Sequence, residues 1–132
     1  MFSAWDIINN NRRIAPRHKI RLPASVSLVE KETDESLWPS ILAYTRDVSL
    51  AGLALVVPTT RMGCHELGEG DYLLKVILAI SHDVSVQLIA RLMHCGVLSE
   101  DEAGAGYLVG AKIEEISAED RALYEEFIGG LH

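Results

Sequence analysis

The stretch "YLLKVILAISHDVSVQLIARLMHCGVL", residues 72 to 98, decides the fold. Leu74, Val76, Leu78 and Ile80 recur at every second position, and so do Val84, Val86, Leu88, Ala90 and Leu92. A period of two places each set on one face of an extended chain, because successive side chains of a strand point to opposite sides. Between the runs, Ser81-His82-Asp83 is a short polar break of the kind that reverses a chain. Two antiparallel strands are expected here, each burying one face. Neither run is a membrane span, since Tyr72 to Ile80 carries Lys75 and falls far short of the roughly 20 apolar residues a helix needs to cross a bilayer.

Working outward, the same alternation returns. Upstream, Leu22, Ala24, Val26 and Leu28 alternate with Pro23, Ser25 and Ser27; "ILAYTRDV" and "GLALVVP" follow as two more strands, turned by "SLAG". Downstream, "YLVGAKIEEI" sets Tyr107, Val109, Ala111 and Ile113 on one side. "EKETDES" and "SEDEAGAG" are polar connections, and Gly63, Gly68 and Gly70 mark a longer loop. Six short strands separated by turns predict an antiparallel barrel or sandwich. The period then changes. "SAEDRALYEEFIGGL" opens on Ser117 with acids in its first turn, a helix start, and its Tyr124, Phe127, Ile128 and Leu131 form an apolar stripe suited to capping one end of the sheet structure. Residues 1–11 read as an N-terminal stub or linker, with Ser3 and Asp6 in capping-box relation, and residues 12–132 as one domain.

Charge narrows the function. The 132-residue chain carries 19 acids against 12 bases, yet Arg12, Arg13, Arg17, Lys19 and Arg21 lie within ten residues. Against the seven other bases, the acids leave the remainder at −12. Binding to a long nucleic acid depends on summed positive charge and is not expected. A compact anion docking at one place fits better. Pro16 disfavours helical geometry at the residue before it, so Arg13 and Arg17 are expected on an extended or turning segment, at most roughly 13 Å apart. Taken alone, the cluster also fits a solvated face that balances the acidic helix, and Lys19 and Arg21 fit that description throughout.

Two short motifs stand in order along the chain. Arg13-Ile14-Ala15-Pro16-Arg17, preceded by Arg12, has the form Arg-x-x-x-Arg; Asp47-Val48-Ser49-Leu50-Ala51-Gly52 has the form Asp-x-Ser-x-x-Gly and falls where one strand turns into the next. The second motif alone is also a plain turn, since Asp, Ser and Gly all favour turns. The pair, together with the late strand and the helix after it, resembles the PilZ domain, a small β-barrel family that binds cyclic di-GMP. The resemblance runs from Arg12 to about Ile128. It implies a six-stranded antiparallel β-barrel with a C-terminal helix. It also implies cyclic di-GMP as ligand rather than a cofactor, with contacts from Arg13, Arg17, Asp47, Ser49 and Gly52. Arg12 resembles the extra base of members that take up a stacked dimer of the ligand. Many members also place an aromatic side chain near the end of a late strand, where this chain has Met93 and His94.

The chemistry agrees with that ligand. Guanidinium groups form bidentate hydrogen bonds with phosphate oxygens and forked pairs with O6 and N7 of guanine. An Asp carboxylate accepts only, which complements the N–H groups of guanine's Watson–Crick edge. Ser49 offers a small hydroxyl beside it. Gly52 permits backbone torsions closed to other residues and leaves room for close approach.

Other functions find less support. Cys64-His65 and His94-Cys95 are adjacent pairs without metal-ligand spacing, and neighbouring residues of a strand face opposite ways, so no metal site is expected. No nucleophile elbow, zinc-protease helix or phosphate loop is present, and an enzyme is not expected. With two cysteines and no signal-peptide pattern, the expected compartment is the cytoplasm, for this chain or for the longer protein that contains it. Ligand-driven ordering of residues 10–20 would move the N-terminal stub, a fused domain or an effector protein. The alternative is a barrel of the same kind that binds a protein partner and no nucleotide.

Overall fold

A computed structural model gives the fold and describes residues 16–29, 40–59, 61–62, 65–66, 72–97 and 106–131. The strands are β1 (His18–Lys19), β2 (Pro23–Leu28), β3 (Ile41–Val48), β4 (Gly52–Val57), β5 (Arg61–Met62), β6 (His65–Glu66), β7 (Leu73–Ser81), β8 (Val84–Val97) and β9 (Tyr107–Ile116). One helix, α1 (Ala118–Gly129), ends the described chain. The expected stub over residues 1–11 lies outside the described residues.

Six strands close on themselves. The sheet runs β3-β2-β7-β8-β9-β4, and β4 pairs back onto β3, every neighbour antiparallel. Closure removes the unpaired edges of an open sheet. The alternation read from residues 72–98 is what fills the barrel: Leu74, Val76, Leu78, Val86, Leu88 and Ala90 all point inward and are no more than 1 % exposed. Val26, Leu53, Leu55 and Val109 meet them from the other strands. Removing one of these side chains, as in Leu88→Ala, is expected to cost about 2–5 kcal/mol.

Three short strands among the described residues go beyond the six expected. β1 adds to the outside of β3, with Lys19 opposite Asp47 and His18 opposite Val48. β5 and β6 form a small separate pair within the expected glycine-marked loop, joining Met62 to His65 across a two-residue connection, the length natural to a hairpin.

Helix α1 starts where expected. The Ser117 hydroxyl accepts from the Asp120 amide at 3.1 Å, and Glu119 and Asp120 occupy the first turn. Asp120 also reaches across to accept from the Gln87 amide at 2.9 Å, which pins the helix start to β8. Tyr124 and Ile128 are buried, with Phe127 and Leu131 packed beside them. No helix among the described residues is long and apolar enough to cross a membrane.

Candidate functional site

Strand β3 is not regular, and the irregularity builds the site. Thr45 pairs with Leu55 and Asp47 with Ala54, so Arg46 is an extra residue, a β-bulge. A bulge interrupts the alternation and re-aims the side chains beyond it. Asp47 therefore sits on the outer wall of the barrel while Val48, next to it, is in the core.

Asp47 is only 4 % exposed, because cations cover it. A terminal guanidinium nitrogen of Arg17 donates to Oδ1 at 2.5 Å, and Arg46 Nε donates to Oδ2 at 3.2 Å. Both guanidinium side chains remain about half exposed, at 49 % and 46 %. The result is a buried acceptor ringed by available donors.

The segment that delivers Arg17 is held by Thr45. Its hydroxyl donates to the Ile20 carbonyl at 2.6 Å and accepts from the Leu22 amide at 2.9 Å, while the Thr45 amide donates to the Leu22 carbonyl at 2.9 Å. With the β1 pairing, these bonds lay residues 17–22 along β3. The expectation of a segment free along all of 10–20 is thus corrected for its second half. Contacts within the protein already hold Arg17, His18 and Lys19 on the barrel wall. Arg12 and Arg13 lie outside the described residues.

The turn after Asp47 is closed by Ser49. Its hydroxyl accepts from the amides of Ala51 at 3.2 Å and Gly52 at 3.1 Å and donates to the Gly52 carbonyl at 3.3 Å. Ser49 is 3 % exposed, and its own carbonyl accepts from the Tyr124 hydroxyl at 2.6 Å. Helix α1 is thereby tied to the turn, and burial pushes the Tyr124 phenol well above its ordinary range. Of the two reasons the sequence offers for Gly52, close approach is the one that operates. A side-chain carbon there would lie 2.6 Å from the Ala111 carbonyl oxygen of β9. The approaching group is the protein's own backbone.

The pairings line up a row on the outer wall. Lys19 pairs with Asp47, Asp47 with Ala54, Ala54 with Gly110, and Gly110 with His94. Ala54 and Gly110 make a low floor. The His94 ring lies on that floor, with Cε1 2.0 Å from where a side-chain carbon of Gly110 would stand. Met93 occupies a second irregularity, between Leu92 and His94, and is 55 % exposed.

Arg21 is not merely solvated: its guanidinium carbon lies 3.9 Å from the centre of the Tyr44 ring. Sequence reasoning missed Arg46 and Thr45 as parts of the site. The signal for Arg46 was its adjacency to Asp47. For Thr45 it was an inward position occupied by a polar residue. Among the described residues, no group of three His, Cys, Asp or Glu is placed to hold a metal ion, and Cys64 lies outside them.

A sequence profile of the PilZ domain matches residues 11–130. Comparison with curated protein sequences gives no match. Among solved structures, the PilZ domain of Escherichia coli YcgR with c-di-GMP superposes with a TM-score of 0.63 at 13 % identity, covering 91 % of each chain. The K. pneumoniae MrkH–c-di-GMP complex gives 0.64 at 19 % identity, over 89 % of this chain and 51 % of that one. Bacillus subtilis MotI, an inhibitor of motility, gives 0.59 at 16 % identity, over 89 % and 49 %. The chain thus spans about half the length of MrkH and MotI. At these identities the likeness concerns the fold.

Proposed function

The chain belongs to the PilZ domain family, and from that premise we propose that it is a non-enzymatic receptor for the second messenger cyclic di-GMP. One observation carries the reading: the Arg17 guanidinium sits on the buried Asp47 carboxylate at the turn closed by Ser49 and Gly52. A carboxylate has about four acceptor positions. Two guanidinium N–H groups use part of that capacity, and the N1–H and N2–H of a guanine edge reach the rest when one of the half-exposed arginines swings aside to the ligand. The exposed N–H groups of Arg17 and Arg46 then meet phosphate oxygens or guanine O6 and N7. Ser49 and Gly52 act by shaping the turn that presents Asp47. Arg12 and Arg13 supply further cations to the phosphates from the upstream arm. Residues 17–19 already lie against β3, so binding would signal through the chain that leads into them. A ligand of this kind reaches its receptor in the cytoplasm.

Titration calorimetry with cyclic di-GMP tests this. The wild type should release or take up heat on a saturable curve. Arg17→Ala should weaken binding by one to two decades, since an arginine fork is worth about 1–3 kcal/mol. Asp47→Ala should weaken it at least as much. No heat at high micromolar ligand would instead favour a barrel that binds a protein partner.

A further inference from the structure

The outer wall beside Asp47 carries a feature that the two motifs leave unused. Tyr44 and Asp47 are three positions apart on β3, a spacing that puts two side chains on opposite faces of a regular strand. The bulge at Arg46 restores them to one face. Tyr44 pairs with Val56 and Asp47 with Ala54, so the two outward positions on β4 are two residues apart, about 7 Å. Beyond Tyr44, along the strand from Asp47, the wall then presents a hollow of about 330 Å³ whose lining includes Arg21, Leu42, Tyr44, Val56 and Pro58. Arg21 lies over the Tyr44 ring at 3.9 Å and is exposed on its other side.

We propose that this hollow is a second base site, in which one guanine of a cyclic dinucleotide stacks on Arg21 while the other is read by Asp47. The proposal rests on the receptor reading above and adds the residues that hold the ligand's far half. A planar guanidinium already flat on an aromatic ring is a pre-ordered platform, because its open face stacks on a further π system. Apolar contact from Leu42, Val56 and Pro58 suits the faces of a base and not a phosphate. The volume lies at the low end of small-molecule sites, about 300–1,000 Å³, which fits one base and not the whole dinucleotide. Geometry also links the halves. Arg17 and Arg21 come from one segment, and the Thr45 bonds to Ile20 and Leu22 fix its course between them. Stacking alone tolerates either purine. The Arg21 side should therefore discriminate less between guanine and adenine than the Asp47 side does.

The test is calorimetry with cyclic di-GMP on the wild type, Arg21→Lys, Tyr44→Leu and Leu42→Ser. Arg21→Lys keeps the charge and loses the plane. The expected result is about tenfold weaker binding in Arg21→Lys and Tyr44→Leu, with a smaller loss in Leu42→Ser. Wild-type affinity in all three variants overturns the second base site and leaves the receptor reading standing. Absence of binding in the wild type removes both. Nuclear magnetic resonance on the wild type keeps the question decidable if a variant folds poorly. The Arg21 Nε–H signal should shift upfield under the ring current of a stacked base, and an unmoved signal at saturating ligand overturns the proposal.

Discussion

At the scale of single residues, the site depends on small side chains as much as on charged ones. Gly52 lets β9 approach to within contact of β4, and Gly110 provides the seat for the His94 ring. Gly52→Ala places a carbon 2.6 Å from the Ala111 carbonyl oxygen, backbone that cannot rotate aside. It should destabilise the fold by about 1–3 kcal/mol, as overpacking does, read as a lower urea midpoint. The nearest atoms that Gly110→Ala meets belong to the His94 side chain, which is exposed and can swing away. That variant should fold with near wild-type stability while its His94 ring signals move. These residue roles were unevenly legible. Asp47, Ser49 and Gly52 were singled out by their spacing, but the sequence did not distinguish a hydroxyl that touches a ligand from one that closes a turn. Arg21 was read as solvated because nothing in a strand pattern announces that Tyr44 will face it across the irregular stretch between β1 and β2.

At the scale of elements, the connection that matters runs from the basic arm through β3 to the helix. Thr45 anchors the arm from the core side, and Tyr124 holds the far end of the same strand through the Ser49 carbonyl. Thr45→Val leaves the buried Leu22 amide without its side-chain acceptor, at a cost of about 1–3 kcal/mol. Hydrogen exchange at the Leu22 amide should accelerate accordingly. Tyr124→Phe removes one buried hydrogen bond, worth about 1 kcal/mol, and changes the response to alkali. Below about pH 10, the ordinary tyrosine value, the phenol is neutral in folded and unfolded chains and its stabilisation is fully present. Above that pH the unfolded chain ionises first, because burial raises the folded value, and stability is lost as pH rises. Wild type should therefore lose more stability than Tyr124→Phe between about pH 10 and 12, as read by urea titration. The six long strands and the helix could be placed from alternation, turn residues and the Ser117 helix start together. The bulges at Arg46 and Met93 could not, since one extra residue in a strand leaves the surrounding alternation nearly intact. β1, with two residues, is too short to show a period.

At the scale of the whole molecule, an acidic barrel gathers a cluster of its positive charge on the outer face of one strand. Arg17, Arg21 and Arg46 converge on the outer face of β3, and the arm brings Lys19 into register with Asp47. The net charge of −7 repels a polyanion as a whole while the local cations attract a small one. A duplex oligonucleotide should accordingly show no binding at about 0.15 M salt, where the screening length is about 8 Å. Away from that wall, β7 and the start of β8 supply core packing, and the Gln87 amide of β8 anchors α1. Amide chemical-shift mapping during titration with cyclic di-GMP puts that division to its most direct test. The predicted result is saturable movement concentrated at residues 17–21 and 44–54, with Leu73 to Ser81 of β7 unmoved. Unchanged spectra at high micromolar ligand, or movement centred on β7, would contradict the account.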